Sequence, residues 1–325
     1  MEWPTLGRKA AFRSIDGHKE NPSPKKRFDS ASAIPTSSKM EHPRSLPTNY
    51  PHQIGSEMGS RRRQRELDQF YTCSRVALIC YEWLWSYLYP IDYLFVEPSA
   101  GSGAFSSLLP ADRRAYDLDP KGDDIESVDF FEVTLPYRDR IVVVGNPPFG
   151  KSARLAIKFF NHAARRAEII AFIVPASFQK HSIQKELHRH FHLRREWPIP
   201  DHAFLFDGAP TTVPTVFQIW EWSPEPRLVP RLPTTHDDFE FTTKDHADFA
   251  LQRVGVHVGL IHQDFKRGKG STYFIKAKEL FVREILEVID FKPLALRTAG
   301  NPSLAKTELV QLYTQRKKEL FGEAD

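Results

Sequence analysis

The stretch from residue 141 to 152 constrains this chain more than any other. Ile141-Val142-Val143-Val144 is an unbroken β-branched run, the pattern of a strand covered on both faces, and it stops at Gly145-Asn146-Pro147-Pro148-Phe149-Gly150-Lys151-Ser152. The run predicts a buried strand feeding a rigid turn. Gly145 to Ser152 also fits the phosphate-loop pattern G-x-x-x-x-G-K-[ST]. Two features weigh against that reading. A phosphate loop holds its ligand through successive backbone N–H groups, and Pro147 and Pro148 have none. A nucleotide hydrolase also needs an acidic residue ending a second apolar strand, whereas the run Glu168 to Val174 leads into Pro175-Ala176-Ser177. The same residues suit a different task. Proline keeps its C=O, Asn146 adds an amide oxygen and Phe149 adds a flat ring, so the turn can accept both hydrogens of a planar amino group and stack on the ring that carries it. An ordinary strand-to-helix turn is the plainer alternative.

The 325 residues, 41% apolar and 26% charged, allow one large α/β domain with additions or two modest ones. Cys73 and Cys80 fit neither a zinc pattern nor a disulfide framework, so a reducing compartment and no metal are expected. No apolar run approaches the about 20 residues that span a bilayer, and Met1-Glu2-Trp3-Pro4 does not open a basic-then-apolar segment. A soluble intracellular protein is expected, cytoplasmic or, in a eukaryote, nuclear. The net charge of +4 leans mildly towards a polyanionic partner. Residues 1–65, rich in Pro, Ser, Lys and Arg, are expected to form a disordered basic tail. Its Arg61-Arg62-Arg63 and Arg65 are either phosphate contacts or a solvated charge run.

Past the tail, Asp68-Gln69-Phe70-Tyr71-Thr72 leads to a helix whose apolar face takes in Val76, Ala77, Cys80 and Leu84, with Thr72 or Ser74 as candidate cap. Tyr93 to Val96 reads as a strand. It runs into Glu97-Pro98-Ser99-Ala100-Gly101-Ser102-Gly103, where glycines let the backbone approach a ligand closely. A dinucleotide fingerprint would carry a third glycine where Ser106 stands, and Glu97 would repel a pyrophosphate but attract a cationic amino group. Arg114 to Asp119 fits a second strand, with an acidic residue there, Asp117 or Asp119, available to ribose hydroxyls. Asp129 and Phe130 follow in Ser127-Val128-Asp129-Phe130-Phe131. Gly145 to Phe149 then stands about 40 residues after the glycine loop, the order in which a doubly wound α/β sheet sets its fourth strand beside its first.

Taken in this order, the segments resemble the S-adenosylmethionine-dependent amino-methyltransferases with an Asn-Pro-Pro-Phe motif, enzymes that modify adenine N6 in nucleic acid or a glutamine amide in protein. The resemblance covers about residues 68 to 222, within a methyltransferase domain expected over residues 66–222. It implies a Rossmann-like class I methyltransferase fold, a doubly wound, mostly parallel seven-stranded sheet with one antiparallel edge. The cofactor implied is S-adenosyl-L-methionine. Asn146, Pro147, Pro148 and Phe149 would be catalytic. Thr72, Glu97, Ser99, Gly101, Gly103, Asp117, Asp129 and Phe130 would hold the cofactor: Thr72 at its carboxylate end, Glu97 at its amino group, Asp117 at the ribose, and Asp129 and Phe130 at the adenine. Phe149 and Phe206, with Phe204 in reserve, would sandwich the target base, with core packing the competing role for the latter two. The implied reaction is methylation of adenine N6, in DNA rather than RNA. A protein-glutamine methyltransferase and a nucleic-acid-binding protein with an inactive fold are the alternatives. Cytosine C5 chemistry needs a Pro-Cys loop, which neither cysteine provides.

The rest is read by pattern. Lys151 to Arg166 is expected to be helical and Ile169 to Val174 a strand. Lys180, His181, Lys185, His188, Arg189, His190, His192, Arg194 and Arg195 form a basic segment, split between phosphate contacts and a solvated helix face. Ile199 to Phe206 and Val213 to Trp220 are expected to close the sheet as a pair. Residues 223–325 read as a small substrate-recognition extension. Its strands are Phe249 to Leu260 and Ser271 to Ile275, around a basic turn at Lys266 to Lys269. Helices follow from Leu280 and from Leu304, the latter after the cap-like Asn301-Pro302-Ser303.

Overall fold

Two strands with no polar face set the architecture. In the computed structural model, which describes residues 70–88, 92–136 and 140–322, every residue of Ile141–Gly145 and of Ile169–Pro175 is buried. Successive side chains of a strand point to opposite faces. Ile141, Val143, Ile170, Phe172 and Val174 accordingly enter one core, while Val142, Val144, Ile169, Ala171 and Ile173 enter the other. The basic tail, with Arg61 to Arg65, lies outside the described residues.

In chain order the elements are β1 (Tyr71–Thr72), α1 (Ser74–Tyr87), β2 (Leu94–Glu97), β3 (Arg113–Asp117), β4 (Glu126–Ser127), β5 (Ile141–Gly145), α2 (Arg154–Ala163), β6 (Ile169–Pro175), α3 (His181–Gln184), β7 (Phe191–Pro198), β8 (Phe204–Phe206), β9 (Ala209–Thr211) and β10 (Thr215–Trp222). Then come β11 (Phe239–Phe241), β12 (Phe249–Gln252), β13 (Ile261–His262), β14 (Thr272–Ala277), α4 (Val282–Glu287), α5 (Lys292–Ala295) and α6 (Lys306–Phe321). Seven strands form the central sheet in the order β4-β3-β2-β5-β6-β10-β7. The ladders joining β4, β3, β2, β5 and β6 are parallel, and β10 runs antiparallel to both its neighbours. This is the doubly wound, mostly parallel sheet expected. Because β1 of the parallel set, here β2, has β3 on one side and β5 on the other, the chain reverses its direction of travel there, and α/β sheets bind ligands at such a switch point.

Several expectations are corrected. The antiparallel strand stands one place in from the edge. The closing pair is β7 with β10, with Phe217 opposite Trp197. Residues 204–211 instead form a separate small sheet in which Thr72 pairs with Phe204. β7 was read as a charged helix face because it is an edge strand, and edge strands carry exposed charge: Leu193, Arg194 and Arg195 are exposed. Neither Thr72 nor Ser74 caps α1. Cys73 holds that position without a side-chain bond, because Thr72 is engaged in β1. The helix after Phe149 begins at Arg154, since Ser152 and Ala153 adopt left-handed φ of 56° and 62°.

Residues 239–321 build their own four-stranded sheet, β11-β14-β12-β13, and core around Phe239, Leu251, Ile275, Leu309 and Tyr313. The long strand expected from Phe249 to Leu260 is cut at Gln252 by turns at Gly255 and Gly259, both at positive φ. α6 starts after Ala305, not after Ser303, and Glu308 accepts the Ala305 N–H at 2.7 Å. Lys180, from the segment read as basic and available to phosphate, is buried. It donates to the Ser303 carbonyl at 2.8 Å and lies 3.3 Å from the Glu308 carboxylate, joining the start of α6 to the residue that precedes α3.

Candidate active site

Because β2 and β5 are parallel neighbours, their C-terminal ends deliver two turns to one place. Glu97-Pro98-Ser99 leaves β2 and Asn146-Pro147-Pro148 leaves β5, and the Ser99 hydroxyl donates to the Asn146 carbonyl across them at 3.1 Å. Over these turns lies a cavity of about 350 Å³, walled by Ser99, Gly101, Asp117, Asp129 and Phe130 on one side and by Asn146, Pro147, Pro148 and Phe149 on the other. Phe70 and Tyr71 from the start of the fold, and Leu155 and Phe159 from α2, complete it.

On the β2–β3 side the polar groups answer one another. Gly101, at φ 54°, donates its N–H to Asp117 Oδ2 at 2.7 Å, and Asp119 N–H donates to Asp117 Oδ1 at 2.8 Å. A side chain at position 101 would bring a Cβ within 2.9 Å of the Tyr71 ring, so close approach as well as positive φ demands glycine. Asp119 itself is drawn off by Lys121 at 2.8 Å, leaving Asp117 as the one of the two that lines the cavity. Asp129 Oδ1 accepts the Phe131 N–H at 2.9 Å. Phe130 is buried and stacks on Phe159 at 5.7 Å, so only part of its ring serves the cavity. Burial and the neighbouring Asp117 and Asp119 push the Tyr71 phenol up to about 12.

The β5 side differs. Asn146 Nδ2 donates to the Phe70 carbonyl at 2.8 Å. A carbonyl can only accept, so the amide nitrogen must face it and Oδ1 must point the other way. That oxygen is buried and has no partner. Phe149 stacks on Phe70 with centroids 6.2 Å apart and an interplanar angle of 21°, and Phe70 lies 5.2 Å from Phe206. Beyond Phe149 the chain spends its backbone donors internally: Leu155 and Ala156 N–H bond the Phe149 carbonyl, and Ala153 N–H bonds that of Gly150. Pro147 and Pro148 interrupt the run of N–H groups that a phosphate cradle needs, and Lys151 is exposed. The phosphate-loop pattern therefore has no counterpart in the fold. Non-glycine residues in the left-handed region each cost on the order of 1–3 kcal/mol, and such strain gathers at functional sites.

Four expected site residues stand off the cavity wall. Thr72 is buried in β1, Gly103 turns the loop at φ 82°, and Phe206 reaches the site through Phe70. Glu97 is 2% exposed beneath the turn, where a Cβ on Gly145 would meet its Cγ at 3.3 Å. Ser106 donates to it from backbone and hydroxyl, yet Oε2 has no partner. Burial above all, then Asp117, raises its pKa well above the usual carboxylate range, against the pull of Ser106 and Arg113. From the sequence, Phe70 and Tyr71 stand only in the Phe-Tyr-Thr run before α1, and Ser106 only where a third glycine would fall. The Phe70 carbonyl and ring, the Tyr71 ring and the Ser106 hydroxyl make contacts that pattern does not reveal.

No family model matches the chain, and no curated protein matches it. Solved structures with a similar arrangement include a putative RNA methyltransferase from Pyrococcus horikoshii, with 18% identity over 48% of this chain and 87% of that one and a TM-score of 0.37. Others are the modification subunit of a putative type I restriction enzyme from Vibrio vulnificus (15%, 51% and 47%, 0.37) and the type I restriction-modification methyltransferase subunit from Streptococcus thermophilus (15%, 76% and 59%, 0.36). The chain thus spans about half to three-fifths of the two restriction subunits. At these scores none bears on activity.

Proposed function

We propose that the chain is an S-adenosyl-L-methionine-dependent methyltransferase acting on the exocyclic N6 of adenine in nucleic acid, DNA in preference to RNA. The observation that carries this reading is the Asn146 amide. Its nitrogen is fixed by Phe70, its oxygen is buried and without a partner among the described residues, and Asn146 lines a cavity that Asp117 and Asp129 line as well. A buried acceptor without a partner is costly, about 1–3 kcal/mol, unless a ligand completes it.

The residues fit the cofactor. Asp117 keeps lone pairs for ribose hydroxyls beyond the two it gives to backbone N–H groups. Asp129 can accept from an adenine amino group, and the unpartnered Glu97 oxygen can answer a cation. When bound, S-adenosyl-L-methionine supplies a methyl group on a sulfonium. The chain's part is to prepare the nucleophile. Asn146 Oδ1 and the Pro147 carbonyl take the two amino hydrogens, which draws the nitrogen lone pair out of conjugation and aims it for in-line attack. Positioning and electrostatics then carry the rate. Phe149 offers a stacking face, worth about 1–3 kcal/mol per base, which offsets the few kcal/mol needed to unstack a duplex base.

Incubating the protein with methyl-labelled cofactor and DNA, RNA or protein, followed by nucleoside and amino-acid analysis, tests the reading. Label in N6-methyladenine is expected. Label in methylglutamine, or none anywhere while the cofactor binds, would replace it with one of the two alternatives.

A further inference from the structure

α2 carries two kinds of residue in adjacent places. Leu155 and Phe159 wall the cavity, and the residues directly before them, Arg154 and Lys158, are exposed. Lys151 is exposed on the turn that joins Phe149 to this helix. Among the described residues none of the three side chains has a hydrogen-bond or salt-bridge partner, whereas other exposed cations here do: Arg194 pairs with Glu221, Arg283 with Glu287 and Arg267 with Asp264. Nor does the chain nearby supply partners. From Arg140 to Ala167 there is no Asp or Glu, although Arg140, Lys151, Arg154, Lys158, Arg165 and Arg166 all fall there. A solvated helix face ordinarily mixes signs. This one is of single sign and belongs to the helix that gives Leu155 and Phe159 to the cavity.

We infer that Lys151, Arg154 and Lys158 form a phosphate-binding rail that seats the nucleic-acid backbone beside the target nucleotide. The inference rests on the nucleic-acid reading above and adds the surface that grips it. At 1.5 Å per residue, Arg154 and Lys158 stand about 6 Å apart along the helix, and a duplex strand carries one charge for about every 3.4 Å of its axis, so the two cations can serve neighbouring phosphates. Because the rail belongs to the same helix as Leu155 and Phe159, a strand held on it is indexed to the cavity. The rail positions substrate and takes no part in the chemistry.

The test compares the wild-type chain with a K151A/R154A/K158A variant, a charge-keeping K151R/R154K/K158R variant and a K266A/K269A variant on the exposed basic turn of the C-terminal sheet. Binding of a fluorescein-labelled DNA duplex, and of an RNA of matching sequence, is followed between about 50 and 200 mM salt. The alanine rail variant should bind on the order of tenfold or more weakly at low salt, with a slope of log K against log salt shallower by about 2 to 3. Its KM for nucleic acid should rise while kcat at saturation and cofactor affinity stay put, and the charge-keeping variant should restore binding. Unchanged affinity and slope in the alanine rail variant, or a loss confined to K266A/K269A, would overturn the rail and leave the activity assignment standing. A wild-type chain that binds neither nucleic acid would remove both.

Discussion

The two walls of the cavity are built to opposite standards of hydrogen bonding. On the β2–β3 wall, Asp117 is satisfied twice by backbone N–H groups and Asp129 once, so the carboxylates arrive already oriented. On the β5 wall, Asn146 is satisfied on its nitrogen and left open on its oxygen. Groups that hold a ligand in place can afford shared bonds, since a carboxylate has lone pairs to spare. A group that must pull on a reacting nitrogen works best when its one acceptor has no competitor. The contrast separates binding from chemistry by residue, and each half can be broken alone.

The largest effect is expected at Asn146. Removing one preorganised polar group of this kind costs roughly 10²–10³ in kcat. Asn146→Ala should therefore lose nearly all methyl transfer in single-turnover assays while calorimetry shows cofactor affinity within a few-fold of wild type. Turnover retained at the wild-type rate would place the chemistry elsewhere. Asn146→Asp is the sharper variant, because a carboxylate facing the Phe70 carbonyl loses the bond that orients it.

Next comes Asp117. A hydrogen bond to a charged group contributes about 1.5–3 kcal/mol, so Asp117→Ala should weaken cofactor binding by roughly 10- to 100-fold. The rate at saturating cofactor should fall far less. An equal drop in both would mean that the β2–β3 wall also shapes the reaction, and the division between walls would fail.

How much of this was legible in the sequence depends on where each residue gets its partner. The runs at Leu94, Ile141 and Ile169 announced themselves because strands buried on both faces are filled with apolar residues, Glu97 at the end of β2 being the exception. β7 did not, since an edge strand carrying Arg194 and Arg195 has the composition of a solvated helix. β1, β8 and β9 are two or three residues long, too short for any period to show. Among the site residues, Asp117 was preferred to Asp119 through the resemblance, which sets an acidic residue two places before Asp119-Pro120, and the structure adds that Lys121 draws Asp119 off. The anchor of Asn146 was beyond reach, because the Phe70 carbonyl is an atom every residue possesses. Phe206 looked like a direct contact and touches the site only across Phe70, itself set by the pairing of β1 with β8.

That aromatic step gives the third expectation. Truncating one stacking ring in a base-binding site costs about 1–3 kcal/mol. Phe206→Ala should raise KM for nucleic acid by roughly 5- to 100-fold if the ring meets the base once Phe70 has moved. If Phe70 never moves, the change should alter thermal stability and leave KM alone. Steady-state kinetics beside a melting curve decides between them.

The smallest effect concerns Glu97, which stands beneath both walls. Its carboxyl is buried among β2, the Ser106 turn, Asp117 and Arg113, and its folded-state pKa lies above the unfolded value. A raised carboxylate pKa means that the folded state holds a proton the unfolded state has already released. The sign follows: the stabilising contribution is full below the unfolded pKa and is lost as pH rises through the folded one. Without cofactor, the melting temperature should fall across that window, and Glu97→Gln, which stays neutral, should flatten the fall. With a cationic ligand group beside Oε2 the sign reverses, because ionised Glu97 then gains a partner. Melting curves of both proteins across pH, with and without S-adenosyl-L-methionine, check this. If the cofactor stabilises Glu97→Gln as strongly as wild type at neutral pH, the open oxygen of Glu97 does not receive the cofactor's amino group, and Ser106 is its whole purpose.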